Sequence, residues 1–405
     1  MADLLEKYRA AKERHDTLAA IGADAVGLVN ERVLSPTRAI INGRETILAG
    51  TNNYMGVTFE PECIEAGKRA LAEYGTGTTG SRIANGTYAL HAQLERALAE
   101  FMGRRHCMVF STGFQANLGM IAGLCGPDDT IFIDADSHAS IYDGCRLSGA
   151  KVVLFRHNDA DHLARRLKRH DPGKGGRLVI LEGIYSMLGD TAPLRDFVAL
   201  KQEYDFQLLV DEAHSFGVLG EKGRGLAERE GVEDGVDFIV GTFSKSLGGI
   251  GGYAVSDHPD FEVLRYTSRP YMFTASPSPA SIATTLCALN IIRSQPERRK
   301  KLQALSARLH GGLKAQRFRL GVDEITPVVA VICPDERAAV AMWNGLLQAG
   351  VYVNLALPPG TPNKLSLMRC SVSAAHTEEE VDAVIAAFVA VRTQLVDQGL
   401  WPRDG

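Results

Sequence analysis

Residues 240–252 read Val-Gly-Thr-Phe-Ser-Lys-Ser-Leu-Gly-Gly-Ile-Gly-Gly. An apolar stretch precedes Lys245, hydroxyl residues flank it, and a glycine run follows. Hydroxyl groups and glycine amides can bind a phosphate, and glycines leave room for a flat ring. The pattern therefore predicts a lysine that follows a strand and presents its amine to a large phosphorylated ligand. A solvated loop lysine is the alternative.

A second stretch favours a particular ligand. Phe206–Val210 has the composition of a buried strand and runs into Asp211-Glu212-Ala213-His214. The carboxyl ends of parallel strands are where α/β sheets bind ligands. A lysine amine that loses its proton forms a Schiff base with a carbonyl, and pyridoxal phosphate (PLP) is the commonest cofactor that needs one. Asp211 would keep the pyridine nitrogen of PLP protonated, although a capping aspartate is the alternative.

Apolar strands and helical patterns alternate along the middle of the chain, which predicts a mostly parallel sheet covered on both faces. The predicted strands lie near 106–110, 130–133, 151–155, 178–181, 206–210 and 238–241. Polar residues at or just after the strand ends are Asp134, His138, Glu182, Ser186, Asp211, His214 and Lys245. Because these ends meet at one edge, the sequence predicts a single site there.

The strand at 106–110 is followed by a turn and a helix. The free amides of the first helical turn, at Gly113 and Phe114, are placed to bind the cofactor phosphate. The glycine-rich stretch 75–82 is a different element. It lacks the Gly-Lys-Ser/Thr ending of a nucleotide-binding loop and alone indicates only an anion site or a turn.

Three regions are expected along the chain: an N-terminal arm and hairpin at 1–50, a large PLP-binding domain at 51–285, and a small C-terminal domain at 286–405. Asn42-Gly43 suits the tight turn of the hairpin. A long helix from about Pro279 leads into the small domain, whose strands are predicted near 327–332, 351–354 and 365–370.

Composition, net charge and cysteine content limit the classes of protein to which this chain can belong. The chain has 405 residues, 45% of them hydrophobic, and a formal net charge of -4, which argues against a nucleic-acid surface. Its seven cysteines are scattered, as is typical of reduced thiols. The N-terminus lacks the apolar core of a signal peptide, and no apolar run has the length of a membrane span. We expect a cytoplasmic protein without a membrane span; peripheral membrane contact is left open.

Four motifs together resemble the α-oxoamine synthases: Asp136–Ser140, Glu182–Met187, Asp211–His214 and Thr242–Lys245. The resemblance covers nearly the whole chain and is strongest to the soluble bacterial serine palmitoyltransferases. It implies the type I fold of PLP-dependent transferases, the fold of aspartate aminotransferase. It also implies a decarboxylative condensation of an amino acid with an acyl-CoA, in which Lys245 carries the cofactor and moves the Cα proton.

The resemblance assigns further residues. It implies that His138 stacks on the cofactor ring, that His214 donates to the ring hydroxyl oxygen with Ser186 nearby, and that a homodimer shares the site. The remaining assignments are Thr242 and Ser244 in the cofactor site, Thr274 across the dimer interface, and Asn53, Tyr54, Ser81 and Arg369 toward substrate. Asn53 and Tyr54 could equally be turn residues, and Arg369 could form a salt bridge. A metal site at Asp134, Asp136 and His138 lacks a completing ligand cluster, so no metal is expected.

The implied substrates are L-serine and a long-chain acyl-CoA, palmitoyl-CoA, with 3-ketodihydrosphingosine as product. Leu188 supports this because it stands where relatives that use glycine or alanine have aspartate. Leu357 departs from the pattern, which has arginine before the Pro-Pro pair, and leaves the capture of the substrate carboxylate open. Alternatives are 8-amino-7-oxononanoate synthase, 2-amino-3-ketobutyrate CoA ligase, 5-aminolevulinate synthase, or a non-catalytic partner subunit; the presence of Lys245 argues against the last.

Overall fold

Strands alternate with helices through the middle of the chain. The computed structural model describes residues 3–22, 27–170, 173 and 175–403. Within that part the strands are β1 (Asn30–Ser35), β2 (Arg38–Ile41), β3 (Arg44–Leu48), β4 (His106–Phe110), β5 (Thr130–Asp134), β6 (Lys151–Phe155), β7 (Arg177–Glu182), β8 (Gln207–Asp211), β9 (Phe238–Thr242), β10 (Gly252–Ser256), β11 (Val328–Ile332), β12 (Val351–Tyr352), β13 (Asn354–Ala356) and β14 (Leu367–Ser371).

The helices fill the connections. They are α1 (Arg9–Ala20), α2 (Pro61–Tyr74), α3 (Ala89–Met102), α4 (Gly113–Leu124), α5 (Ala139–Ser148), α6 (Ala160–Arg169), α7 (Leu194–Ala199), α8 (Leu226–Glu230), α9 (Leu264–Thr267), α10 (Arg269–Met272), α11 (Pro279–Ser294), α12 (Pro296–Ala315), α13 (Glu336–Gln348) and α14 (Glu378–Asp397). Short 3-10 helices cover Glu6–Tyr8, Val57–Phe59, Leu200–Gln202, Glu233–Gly235, Phe261–Val263 and Pro362–Lys364. None of the described helices is both long and apolar enough to cross a membrane.

Residues 52–303 form one compact unit, built on a seven-stranded sheet with the order β4-β10-β9-β8-β7-β5-β6. The five strands from β9 to β6 pair in parallel, whereas β10 runs antiparallel to both β4 and β9. The predicted mostly parallel sheet is therefore confirmed, and β10 is a strand that the sequence analysis did not predict. Strand residues such as Ile133, Ile180 and Leu209 are fully buried, because helices cover the sheet.

The chain before residue 52 and the chain after residue 303 form the second compact unit. It contains a four-stranded sheet, β1-β2-β3-β12, and a three-stranded sheet, β11-β14-β13. The predicted hairpin is present, and Asn42 and Gly43 both have positive φ, as a tight hairpin turn requires. Because β3 pairs in parallel with β12, the N-terminal segment shares a sheet with the C-terminal part of the chain, whereas the sequence analysis listed 1–50 as a region of its own.

Candidate active site

A cavity of about 280 Å³ lies at the carboxyl ends of the strands in the 52–303 unit. It brings together nine of the residues singled out from the sequence: Gly113, Phe114, His138, Glu182, Asp211, His214, Thr242, Ser244 and Lys245. Its lining also includes Thr112, Asn117, Ser140, Ala213, Gly241, Ile250 and Gly251. A parallel sheet with its strand ends aligned positions these side chains, although they are spread over more than a hundred residues of sequence.

Lys245 lies on the loop that connects β9 to β10. Backbone hydrogen bonds within this loop hold its shape. Phe243 N donates to Gly251 O at 3.0 Å, and Gly249 N donates to Phe243 O at 2.9 Å. Lys245 is half-buried and Ser244 is exposed, and both line the cavity. Ser246, in contrast, is buried and donates to Phe216 O at 2.6 Å. The two serines beside Lys245 therefore differ: one faces the cavity, and the other fixes the loop.

Asp211 is the last residue of β8, is 5% exposed, and is held from two sides. Its Oδ2 accepts from Asn117 Nδ2 at 2.7 Å, and its Oδ1 accepts from Ala213 N at 2.9 Å. His214, three residues on, lies with Nδ1 2.7 Å from Tyr54 Oη. These hydrogen bonds fix both side chains at the cavity wall.

His138 is the N-cap of α5, and its tautomer follows from its hydrogen bonds. Nδ1 accepts from Ser140 N at 3.2 Å and lies 2.8 Å from Ser140 Oγ. A backbone N–H can only donate, so Nδ1 carries no proton and the neutral ring is protonated at Nε2. Burial lowers the pKa of His138; Asp211 opposes this shift, and Lys245 reinforces it. The ring is therefore a neutral, flat surface with one N–H donor.

The hydrogen bonds of Asn117 and Ser140 join His138 to Asp211. Asn117 Nδ2 donates to Asp211 Oδ2 and also, at 2.9 Å, to Ser140 Oγ. Ser140 Oγ then donates to His138 Nδ1. Neither residue was predicted to belong to the site. Asn117 carried a weak signal, since it is a polar residue on the buried face that Met120 and Ile121 share.

Glu182 ends β7 directly beside Asp211 in the sheet register. It is 3% exposed, and its Oε1 accepts from His138 N at 2.5 Å. Burial and the neighbouring charge of Asp211 raise the pKa of Glu182 well above its usual value. The neutral acid is therefore favoured at Glu182, where it anchors the backbone of His138.

The start of α4 forms a cradle at the other end of the cavity. Thr112 caps the helix by accepting from Gln115 N at 3.1 Å. A Cβ at Gly113 would lie 2.6 Å from Thr242 Cβ, so only glycine allows this approach. The first-turn amides, the Thr242 hydroxyl and the Ser244 hydroxyl, 2.9 Å from it, together suit a phosphate group.

Seven residues singled out from the sequence lie outside the lining of this cavity: Asn53, Tyr54, Ser81, Asp134, Ser186, Thr274 and Arg369. Ser186 is half-buried on the turn after β7, and Asn53 donates to Thr58 Oγ1 at 2.8 Å. Ser81 accepts from Gly86 N through its carbonyl, and Thr274 accepts from Gln115 Nε2 at 3.1 Å. Arg369 belongs to the second unit, where it is buried on β14 and donates to Ser371 Oγ at 3.1 Å. Their proposed roles stay predictions.

His157, on the loop after β6, holds two site loops together. Its Nδ1 lies 2.9 Å from Asp134 Oδ1, and its Nε2 lies 2.7 Å from Asp190 Oδ2. Burial opposes its protonation, but hydrogen bonds and charges from the two carboxylates outweigh burial and raise the pKa of His157 to about 10. A protonated His157 therefore ties the loop that leads to His138 to the loop that carries Ser186.

In the described part of the chain no cluster of His, Cys, Asp or Glu has the arrangement of a metal site.

Known proteins share this chain's sequence and fold over almost its full length. Residues 44–388 match the family described as aminotransferase class I and II. A serine palmitoyltransferase from Caulobacter vibrioides is 55% identical over 95% of both chains. An 8-amino-7-oxononanoate synthase from Geobacter metallireducens is 38% identical over 88% of this chain and 91% of its own.

Among solved structures, a variant of the serine palmitoyltransferase from S. paucimobilis with a bound PLP–myriocin aldimine superposes with a TM-score of 0.96. It is 46% identical and covers 98% of this chain and 100% of its own. The chain belongs to the aminotransferase class I and II family and, within it, to the α-oxoamine synthase branch that includes the bacterial serine palmitoyltransferases.

Proposed function

We propose that this protein is a PLP-dependent acyltransferase. It condenses L-serine with a long-chain acyl-CoA, palmitoyl-CoA, and releases CoA and carbon dioxide. The product is 3-ketodihydrosphingosine, and the reaction is the first step of sphingolipid biosynthesis. The observation that carries this proposal is the cavity in which Lys245, Asp211 and His138 converge, in a chain 55% identical to a serine palmitoyltransferase.

The residues of the cavity fit PLP. The Gly113 cradle, with the Thr242 and Ser244 hydroxyls, would hold the phosphate, and Lys245 would hold the cofactor covalently. His138 would cover the ring, Asp211 would pair with its nitrogen, and His214 and Ser186 would hold its hydroxyl. When bound, PLP supplies an electron sink for the negative charge that develops on the substrate Cα.

The protein's own groups then have separate tasks. Lys245, once released, is the base that removes the Cα proton and later the acid that returns one; such catalysis contributes roughly 100- to 10,000-fold. Asp211 would stabilise positive charge on the cofactor nitrogen, and Asn117 holds the carboxylate in place. His138, with its proton on Nε2, can donate a hydrogen bond to the carboxylate of the amino acid.

Substrate selection rests on fewer contacts. Asn53, Tyr54, Ser81 and Arg369 are the proposed substrate residues, and Tyr54 is tied to the site through its 2.7 Å contact with His214. An apolar Leu188 suits a lipid chain, since each buried methylene contributes about 0.8 kcal/mol. We also propose a cytoplasmic homodimer in which Thr274 reaches the cofactor of the partner subunit. Phe273, beside it, is 69% exposed in one copy, which supports an interface at this stretch.

Two measurements test the proposal. Borohydride reduction followed by peptide mapping should fix PLP to the peptide that contains Lys245; labelling of another lysine would contradict the site. A matrix of amino acids against acyl-CoAs, followed by CoA release, should give the highest kcat/KM for serine with palmitoyl-CoA. A different amino acid or a different acyl-CoA as the best substrate would assign a sister activity instead, and no CoA release with any pair would indicate a partner subunit.

A further inference from the structure

A second cavity, of about 700 Å³, lies in the 52–303 unit and shares no lining residue with the Lys245 cavity. Its walls come from the end of α3, the loop between β8 and α8, the end of α11 and the start of α12. Ligand sites in proteins have volumes of roughly 300 to 1,000 Å³. The cavity is therefore large enough for an organic ligand.

The lining is strongly cationic. Its basic residues are Lys222, Arg224, Arg229, Arg293, Arg299 and Lys300. Glu100 and Glu221 are the acids among the lining residues. Such an excess of positive charge, inside a concave surface, attracts anions more strongly than the same charges spread over a convex surface.

Half of these cations already have a carboxylate partner. Arg224 lies 3.4 Å from Glu233, Arg229 lies 3.0 Å from Glu230, and Arg293 lies 3.4 Å from Glu100. For Lys222, Arg299 and Lys300, the described part of the chain provides no carboxylate within ion-pair distance. The positive charge without an ion-pair partner therefore concentrates on these three residues, although the carboxylates of Glu228 and Glu221 act on Arg299 from a longer distance.

Arg299 is the most unusual of the three because it is only 5% exposed. Its Nη2 donates to the carbonyl oxygen of Glu221, which is not a countercharge. Its Nη1 is buried and has no hydrogen-bond partner within the described residues. Gly223 accommodates this nitrogen, since a Cβ there would lie 2.6 Å from it. A buried guanidinium nitrogen without a partner is costly unless a ligand supplies an acceptor.

We propose that this cavity binds a nucleoside diphosphate group, with the pyrophosphate on Arg299, Lys222 and Lys300. Arg299 contributes a buried, fixed positive charge to the cavity lining, and the exposed lysines add mobile positive charge. Phe101, Leu219 and Pro296 contribute apolar lining for the nucleoside. Two molecules carry this group: a free nucleotide such as ADP, and CoA, which ends in a phosphorylated ADP.

The test is calorimetric titration of ADP, and of adenosine as a neutral control, into the PLP-loaded protein. Lys222→Gln/Lys300→Gln removes two exposed charges and spares Arg299, whose loss could disturb the fold. Lys12→Gln/Lys68→Gln is the matched control, because it removes the same charge at sites that line neither cavity. We expect saturable ADP binding that weakens about tenfold in the first double variant only, and that also weakens with added salt.

Three results would overturn the proposal: no saturable ADP binding to the unmodified protein, equal weakening in both double variants, or adenosine binding as tightly as ADP. Competition then identifies the source of the ligand. If CoA displaces ADP and the Lys222→Gln/Lys300→Gln variant also weakens CoA binding, the site takes the nucleotide end of CoA. If ADP stays bound at saturating CoA, the site takes a free nucleotide.

Discussion

His138 and His157 lie after the neighbouring parallel strands β5 and β6, yet their protonation is shifted in opposite directions. Burial lowers the pKa of His138, whereas two carboxylates raise the pKa of His157 to about 10 despite its burial. His138 accepts hydrogen bonds at Nδ1 from Ser140, and His157 contacts a carboxylate with each ring nitrogen. Partners, rather than burial alone, decide the charge of a histidine. The neutral ring of His138 keeps an N–H donor for the cavity, whereas the charged ring of His157 holds two loops together.

Asp211→Asn should have the largest effect, because it removes the charge that faces His138 and the proposed cofactor. Loss of a buried charge partner costs roughly 3 to 5 kcal/mol, which corresponds to roughly a 100- to 5,000-fold fall in kcat. The amide can still accept from Asn117 or Ala213, so the fold should persist. Steady-state kinetics and the absorbance of bound PLP measure both properties. Turnover near that of the unmodified protein would rule out the electron-sink role of Asp211.

His157→Leu should mainly reduce stability. It leaves the buried carboxylate of Asp134 and the half-buried carboxylate of Asp190 without their shared cation, and we expect the free energy of unfolding to fall by about 3 kcal/mol. This is the lower end of the range for buried pairs, since the His157 side chain is 26% exposed. Urea unfolding measures the loss. Asp190→Asn, which removes one of the two carboxylates, should cost less; an equal or larger loss would contradict the bridging role of His157.

The pH dependence of stability should distinguish the two histidines. The folded-state pKa of His157 is raised, so its stabilisation is complete below about 6.5 and is lost as pH rises from there through about 10. His138 has a lowered pKa, so its burial disfavours the folded state only as pH falls below about 6.5. Unfolding free energies from pH 5 to 10, compared between the unmodified protein and His157→Leu, should converge at the alkaline end. A constant difference across that interval would show that protonation of His157 does not stabilise the fold.

Ser140→Ala should have the smallest effect. It removes the hydroxyl between Asn117 and His138 but keeps the Ser140 backbone N–H, so the Nε2–H tautomer should persist. One hydrogen bond contributes about 0.5 to 1.5 kcal/mol, so kcat should fall by roughly 2- to 10-fold. The nitrogen chemical shifts of His138 in NMR report the tautomer directly. A switch to the Nδ1–H form would mean that the hydroxyl, not the backbone, sets the proton position.

Local sequence predicted much of the fold. The predicted strands at 106–110 and 151–155 match β4 and β6 residue for residue, because a short run of mostly apolar residues rich in valine and phenylalanine, bounded by polar turns, favours a strand. Strand β10 was missed because Gly248, Gly249, Gly251 and Gly252 indicate a loop, and only its pairing with β4 and β9 makes the following segment a strand. Such pairing depends on partners far away in sequence.

The site residues also fall into two groups: those that local sequence reveals and those that only the fold reveals. Lys245, Asp211 and His138 are recognisable from their short motifs at strand ends. Asn117 and Ser140 are not, because their roles depend on contacts with residues up to 94 positions away along the chain. The raised pKa of His157 likewise depends on Asp190, which comes from a different loop. Spatial convergence of this kind is encoded by the fold and not by any local pattern.

The position of β10 in the sheet also determines the order in which the strands can pair during synthesis. β4 is an edge strand whose neighbour in the sheet is β10, and β10 is made more than a hundred residues later. During synthesis, β5 to β8 can pair as they emerge, but β4 has to wait for β10. Since β4 leads directly into the Gly113 cradle, the phosphate end of the cavity is the last part to assemble. Ribosome-bound chains that end before Gly252 should therefore fail to retain the cofactor, however well their earlier strands have paired.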